Sequence, residues 1–355
     1  PARTVDGNAS AAAAAKAEAD RIAAEKAAAE AAAKAEAERI AAEKAAAEAA
    51  QAEAERIAAE QKQAELVSRY ANTALSDISA QTNAALLLGQ SVQQHILSTR
   101  TEPLTVWVNQ QWNRQNHRSD LYRSYQQDSR LTQFGVEKDL ADHNRLRAGL
   151  ILTDLRTDNQ FDQATGENQL FSTNAYVKYT AANGVFTSAD LGYTHANNEL
   201  RVDQSNVEFK RNMTNVGLTL GKTWNLSWVE IQPSIAARLH YLQGSNYQLN
   251  GANVQIDPSK VLALHAGLQI SKELKVGEMN LRPILTTSYV NTQNNDFNVQ
   301  VNQYRLQQSI GNRLHHSLGL AAKLKNWEMS TNVGYVQNDE NEDQYHGGVQ
   351  LNYSW

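Results

Sequence analysis

The sequence predicts an all-β membrane protein: a transmembrane β-barrel of about twelve antiparallel strands, with an N-terminal α-helix through its lumen and a long Ala/Glu/Lys-rich helical arm ahead of it. Three observations lead there. Apolar residues alternate with small or polar ones from Leu104 to the last residue, Trp355. The connections between alternating segments are short and long by turns. Four of six tryptophans, Trp224, Trp228, Trp327 and Trp355, sit beside short connections or at the terminus.

The alternation is carried by complete segments. Across 229–241, Val229, Ile231, Pro233, Ile235, Ala237, Leu239 and Tyr241 oppose Glu230, Gln232, Ser234, Ala236, Arg238 and His240. Residues two apart share a face of a strand, so one face is greasy and the other too polar for a core. Lipid outside and a polar lumen inside would satisfy both faces; water outside and a dry interior would give a similar period. Twelve such segments can be counted, at 105–116, 130–140, 144–158, 170–180, 185–196, 209–224, 229–241, 261–271, 279–291, 312–324, 327–336 and 346–355. In the last one Val349, Leu351, Tyr353 and Trp355 form the apolar face, against Gly348, Gln350, Asn352 and Ser354.

The connections separate barrel from sandwich. Those near Asp142, Asn183, Leu226, Val276 and Asn326 are short, whereas 118–127, 159–168, 197–204, 243–258, 293–306 and 338–343 are long and polar. Strict alternation of this kind is that of barrels whose turns face the periplasm and whose loops face outward, and an aromatic girdle explains the tryptophans at one rim.

Residues 1–64 form the arm. The decapeptide AEADRIAAEK at 17–26 recurs as AEAERIAAEK at 35–44 and, less completely, from Ala52. The first two copies lie 18 residues apart, five helical turns, so Ile22 and Ile40 fall on one line. Lys16 and Asp20, Arg21 and Glu25, Lys26 and Glu30, Arg39 and Glu43, Lys44 and Glu48, and Arg56 and Glu60 are opposite charges four apart. Alanine needs no partner to be helical, and the sustained apolar a and d positions of a coiled coil are missing. A solvated spacer about 80 Å long is expected at 1.5 Å per residue.

Residues 65–103 change character: apolar residues mix with Ser, Thr, Asn and Gln, and charge almost vanishes after Asp77. Pro103 ends the helix at the latest. A helix polar on most sides suits the inside of a polar-walled tube. Leu86, Gln90, Gln93 and Gln94 are its expected plug-helix contacts, facing a basic wall of Arg145, Arg147, Lys178, Arg238, Arg282 and Lys323 on residues 104–355.

The totals exclude several classes. A net charge of -5 argues against a nucleic-acid binder. The chain has no cysteine, and no apolar run long enough for a transmembrane helix. Lacking a basic-then-apolar leader at Pro1, it is expected to be a processed or excised fragment. No catalytic, cofactor or metal site is expected. Adjacent His315 and His316 would face opposite sides of a strand; His195, His240 and His265 lie on different segments; and the acidic run 339–343 lacks calcium-loop spacing.

Residues 66–80 (LVSRYANTALSDISA), leading into 125–127 (YQQ), 133–138 (QFGVEK) and 159–162 (NQFD), resemble the translocator domain of monomeric autotransporters of the immunoglobulin A protease type. The resemblance implies a twelve-stranded outer-membrane barrel holding a helix, left behind after a serine-endopeptidase passenger reaches the surface. It implies outer-membrane lipid, periplasmic chaperones and the barrel-assembly machinery as partners, the last reading Val349, Leu351, Tyr353 and Trp355. It also implies a monomer with the arm extracellular and the C-terminus periplasmic. The passenger and its nucleophile motif are absent, so this chain is expected to be no enzyme. Asn72 and Asn83 are the only candidates for the self-cleavage of a related branch, and neither stands in that branch's Asn-Asn pair. The competing reading is a diffusion porin whose helix is a periplasmic tether.

Overall fold

The computed structural model describes residues 6–98, 102–118, 124–140, 145–249, 251–293, 296–338 and 343–355, without the side chains of 6–13, 58–69 and 308. The turn at Asp142 and most of the acidic run lie outside them. The chain divides into two compact units, 1–67 and 68–355. One helix, α1 (Asp6–Leu97), contributes to both.

In the first unit the side chains of 14–57 are exposed throughout, and Ile22 and Ile40 are each 54% exposed. Charge pairing differs from the expected four-residue spacing. Arg21, Arg39 and Arg56 reach back three residues, each guanidinium 2.7 Å from Glu18, Glu36 and Glu53. Only Arg39–Glu43 and Lys44–Glu48, at 3.5 and 3.9 Å, follow the four-residue rule among the described residues. Helical side chains lean toward the N-terminus, so an arginine fork meets the preceding turn first. Arg39 and Arg56 hold the Glu36 and Glu53 carboxyls below the ordinary glutamate range.

The second unit is a closed barrel. Its twelve strands are β1 (Leu104–His117), β2 (Tyr125–Asp139), β3 (Leu146–Phe161), β4 (Ala164–Thr180), β5 (Val185–Val202), β6 (Ser205–Lys222), β8 (Glu230–Leu242), β11 (Ser259–Ser271), β13 (Met279–Gln293), β16 (Arg313–Leu324), β17 (Trp327–Asn338) and β18 (Asp343–Ser354). Each pairs antiparallel with the next, and β18 pairs with β1 from Thr105↔Ser354 to Asn116↔Asp343. Two ladders at short turns, β7 (Trp224–Asn225) and β12 (Leu274–Val276), extend neighbouring hairpins.

Burial settles which face is which. Outward Leu191, Leu218, Leu318 and Val333 are 60–62% exposed, while inward Gln133, Asn174 and Thr194 are 1–2% exposed. An apolar belt on this scale faces lipid, since soluble surfaces do not carry one. Trp224, Trp228, Trp327 and Trp355 are all exposed at the short-turn end. Of the other two, Trp112 is exposed nearer the opposite rim and Trp107 is buried inside.

Away from the short turns the strands outrun their expected ends. Segments 159–168 and 197–204, expected as loops, are mostly β-ladder closing at tight turns, the second through Asp203 at φ 55°. Beyond the lipid band the outward face turns polar, while inward Leu200, Val202 and Phe209 are buried, so on β5 and β6 the polarity of the alternation inverts as the ladder continues. Loops 243–258 and 293–306 also hold structure: β9 (Ser245–Leu249), β10 (Ala252–Ile256), β14 (Phe297–Val301) and β15 (Tyr304–Gln308) form a separate four-stranded sheet in the order β15-β14-β10-β9. Leu249, Val254, Ile256, Phe297, Val299 and Val301 are buried on one of its faces.

Candidate functional site: the bore and its helix

Within the second unit α1 runs down the barrel axis. From Ala71 to Ile96 nearly every residue is buried, polar ones included: Thr73, Ser76, Asp77, Ser79, Gln81, Thr82, Asn83, Ser91 and Gln93 are at most 6% exposed. Such a helix would be costly in an apolar core, because each buried polar group needs a partner. The inward faces of the strands supply them.

The upper part of this helical segment is held by side chains near the long-connection rim. Asn83 donates to the Tyr125 hydroxyl at 2.8 Å, and that hydroxyl donates to Ser79 Oγ at 2.9 Å. Arg313 on β16, four strands round the wall from Tyr125, donates to the side-chain amide oxygen of Asn83. Gln127 donates to the Ala80 carbonyl at 2.9 Å, and Arg211 donates to Gln81, which itself donates to Asp77. Asn83 therefore has both ends of its amide bound across the bore. Further down, Ser91 donates to Gln133 at 2.6 Å and Thr219 donates to Gln93 at 3.0 Å, while Gln90 Nε2 lies 2.9 Å from His315 Nδ1. Gly89 is the point of closest approach. A Cβ there would stand 2.6 Å from His240 and 2.7 Å from the Arg238 stem, so only glycine fits against that wall.

The helix ends in a seat near the short turns. Val92 and Ile96 pack with Trp107, Ile151 and Tyr176. His95 stacks on the Trp107 ring at 3.9 Å and lies 3.2 Å from the Tyr176 hydroxyl, which donates to Glu137. Ser98 turns back on the His95 carbonyl, Lys178 donates to the Ile96 and Ser98 carbonyls at 2.7 and 3.3 Å, and Gln232 donates to the Leu97 carbonyl at 3.0 Å. Cationic and amide donors at a helix C-terminus satisfy its orphan carbonyls and complement its dipole.

The expected basic wall divides. Lys178 binds the helix end, as described. Arg147 donates to the Glu102 carbonyl in the link to β1, with Glu137 3.6 Å away. Arg238 pairs with Asp190 at 2.8 Å, Arg282 with Glu230, and Lys323 with Glu102. Arg145 is exposed ahead of β3 and makes no bond to the helix among the described residues. Carboxylates one strand beyond the neighbour, or in the link to β1, thus take most of the cations, because a confined charge gains more from an opposite charge than from a neutral amide. Of the expected helix contacts, Leu86 is buried, Gln90 and Gln93 are bound as above, and Gln94 is exposed into the remaining gap. Tyr125, Gln127, Gln133, Arg211 and Arg313 are contacts that periodicity did not single out. His315 and His316 do face opposite ways, inward to Gln90 and outward to Thr287. The gap beside the helix, bordered by Gln94, His265, Ser288 and His315, is about 50 Å³. A water needs about 10–15 Å³ of such space, so the gap has room for a few waters.

Val349, Leu351, Tyr353 and Trp355 lie on the outer face of the closing strand. Tyr353 is opposite Val106 and Leu351 opposite Val108, the Tyr353 ring contacts Trp327 and Trp355, and Trp355 N–H donates to the Leu104 carbonyl at 3.0 Å.

Comparison with known proteins agrees with this geometry. The family described as autotransporter beta-domain matches residues 106–336. An immunoglobulin A1 protease autotransporter of Haemophilus influenzae is 30% identical over 294 residues, 82% of this chain and 16% of that protein. The IgA-specific serine endopeptidase autotransporter of Neisseria gonorrhoeae is 28% identical over 289 residues, covering 80% of this chain and 19% of its own length. The chain therefore spans under a fifth of these relatives. In fold it is similar to the translocator domain of autotransporter NalP from Neisseria meningitidis (TM-score 0.64, 13% identity, 79% of this chain and 98% of that one). The beta domain of the Bordetella autotransporter Brka is also similar (TM-score 0.59, 15% identity, 72% and 100%). Sequence relatives and helix-bearing barrel together make the chain a member of the autotransporter beta-domain family, an outer-membrane translocator.

Proposed function

We propose that this chain is the membrane-embedded end of a longer precursor, delivering a serine-endopeptidase passenger attached N-terminally to its arm. The observation that carries the reading is the direction of the bore helix. Asp77 and Asn83 lie among residues near the long-connection rim, and Ile96 lies among those near the short turns, where Trp355 ends the chain. A chain entering the bore at the rim opposite its own C-terminus has its upstream part on that side. With the short turns in the periplasm, the arm and passenger are extracellular, and the solvated arm spaces one from the other. The helix then works as a plug, keeping the emptied barrel from leaking after transport. A protease added to intact cells is expected to cut within 14–57; full protection of the arm would reverse the orientation.

In this reading the protein assembles as a monomer in outer-membrane lipid, delivered by periplasmic chaperones to the barrel-assembly machinery. The machinery reads Val349, Leu351, Tyr353 and Trp355, an apolar row on the last strand to be paired. Deleting Trp355 together with Tyr353→Ala is expected to abolish folded barrel in the outer membrane, scored by heat-modifiable migration. Leu318→Ala, equally exposed on β16, should insert as the parent does. Equal insertion of the two variants would remove the signal role.

A further inference from the structure

The outer wall of β1–β6 carries charge in an order that the other half of the barrel lacks. Following the pairing register around the wall, one row of outward residues reads Trp112, Arg130, Arg156, Gln169, Asn197 and Lys210. The row two residues further from the short turns reads Arg114, Asp128, Asp158, Glu167, Glu199 and Glu208. On the remaining strands the outward residues toward this rim include Tyr241, Tyr289, Tyr335, Tyr345, Asn291 and Gln337, with Lys260 and Asp343 the only charges at corresponding ladder ends among the described residues. Among the described residues the charge is therefore a property of one side of the wall.

Height places the basic row at lipid headgroups. On β4 the outward residues from Tyr179 to Phe171 include the lipid-facing set, both ends 46–48% exposed, while level with Phe171 the neighbouring strands present Thr132, Asp154, His195 and Asn212, so the wall passes from lipid to headgroup at that row. Eight residues of strand at about 3.3 Å each, tilted about 40°, rise about 20 Å, close to the apolar band of a barrel of this class. Gln169, in the basic row, stands two residues above Phe171 on β4. That is about 5 Å beyond the band, where phosphates of a leaflet lie.

The order within the row is specific. Arg130 and Arg156 are directly paired on neighbouring strands; then come two carboxamides, Gln169 and Asn197, and then Lys210. Arg156 and Lys210 are three strands apart, about 14 Å at the usual interstrand spacing. Arg156 is braced from below by Asp154 at 3.1 Å. The side chains of Arg130 and Lys210 make no hydrogen bond or ion pair among the described residues, and both residues are exposed. These side chains form the lower border, and Asp158, Glu167, Glu199 and Glu208 the upper border, of a concave patch of about 650 Å³ on the wall. Two cationic ends separated by neutral amide donors match a headgroup with phosphate at each end and sugar hydroxyls between.

We propose that the outer wall of β1–β6 is a binding site for a glycolipid whose disaccharide headgroup bears a phosphate at either end. Arg130 and Arg156 take one phosphate, Lys210 the other, and Gln169 and Asn197 bond the sugar between them, while Phe134, Phe171 and Tyr193 lie under its acyl chains. The site holds the plugged barrel in the leaflet at the long-connection rim, which is the outer leaflet in the orientation proposed above. The acidic row makes the site selective: a headgroup with further negative charge directly above its phosphates meets Asp158, Glu167 and Glu208.

Native mass spectrometry of the full chain in detergent tests this without reference to orientation in cells. The probe is a bis-phosphorylated, acylated glucosamine disaccharide, compared with the same lipid stripped of its phosphates. The parent is expected to retain the phosphorylated lipid one to one. With charge-assisted hydrogen bonds removed at both ends, Arg130→Gln/Arg156→Gln/Lys210→Gln should bind it at least about tenfold more weakly. A charge-matched control at the exposed short-turn end, Lys272→Gln/Lys275→Gln/Lys325→Gln, should bind as the parent does. Equal binding of the dephosphorylated lipid, or equal weakening by the two triple variants, would overturn the site. Retention of heat-modifiable migration by each variant shows that the barrel being compared is folded. A result contrary to the proposed arm orientation would leave this outcome unaffected.

Discussion

Excising residues 66–98 is expected to raise the single-channel conductance in planar bilayers several-fold. Twelve strands about 4.8 Å apart, tilted about 40°, close a backbone cylinder about 24 Å across. A helix about 10–12 Å in diameter takes most of the width that inward side chains leave. Beside its lower end, next to Gln94, lies a gap of about 50 Å³. The wall left by excision is lined by Gln133, Asn174, Thr194, Thr219 and their neighbours, which hold water readily. An unchanged conductance would refute the plug. Since excision also removes the packing of the helix seat, a full-length variant provides a second test. Gly89→Leu adds a side chain where a Cβ already falls 2.6 Å from His240, so the helix cannot seat and open events should become frequent. Quiet traces from both variants would mean that the bore closes without its helix.

The membrane-crossing part of the fold was legible because lipid on one face and water on the other write alternation into each strand. It ended where lipid gave way to water outside: in residues 197–202 on β5 and 205–210 on β6 the outward face is polar and Leu200, Val202 and Phe209 point inward, which inverts the pattern of the strands below. The sheet formed by β9, β10, β14 and β15 was hidden for another reason. β9 and β10, and β14 and β15, are local hairpins of five-residue strands, but the β10–β14 pairing joins two connections far apart in sequence, which nothing local announces. Within the bore, the polar character of 70–97 predicted a polar surround, but the partner of each side chain depends on helix rotation and on strand stagger. Asn83 is the clearest case. Its residue type suggests self-cleavage chemistry, whereas its amide is bound by Tyr125 and Arg313 from strands four apart around the wall. Arg313 itself sits at the first position of β16, where no pattern distinguishes an inward arginine from a loop residue.

The same stagger explains the buried pair that should dominate the stability of the wall. Asp190 on β5 stands opposite Gly217 on β6, and Gly217 stands opposite Arg238 on β8. A Cβ at 217 would be 2.2 Å from the Asp190 carboxylate and 2.7 Å from the guanidinium, so the glycine is what allows the two side chains to meet across the intervening strand. They do so with 0% and 1% of their side-chain surface exposed, and Arg238 also donates to Asn215 at 3.0 Å. Asp190→Ala leaves that guanidinium enclosed beneath the helix at Gly89 with no carboxylate. Breaking one side of such a pair costs about 3–5 kcal/mol. The expected result is a fall of that size in the unfolding free energy of the detergent-refolded barrel, read from urea titration. Asp190→Ala/Arg238→Met, which removes both charges and keeps an unbranched stem under the helix, should recover most of the loss, because the penalty belongs to the stranded charge and not to the missing bond. If Asp190→Ala unfolds within about 1 kcal/mol of the parent, water must reach Arg238 past the helix; wall and plug would then be looser than their packing implies.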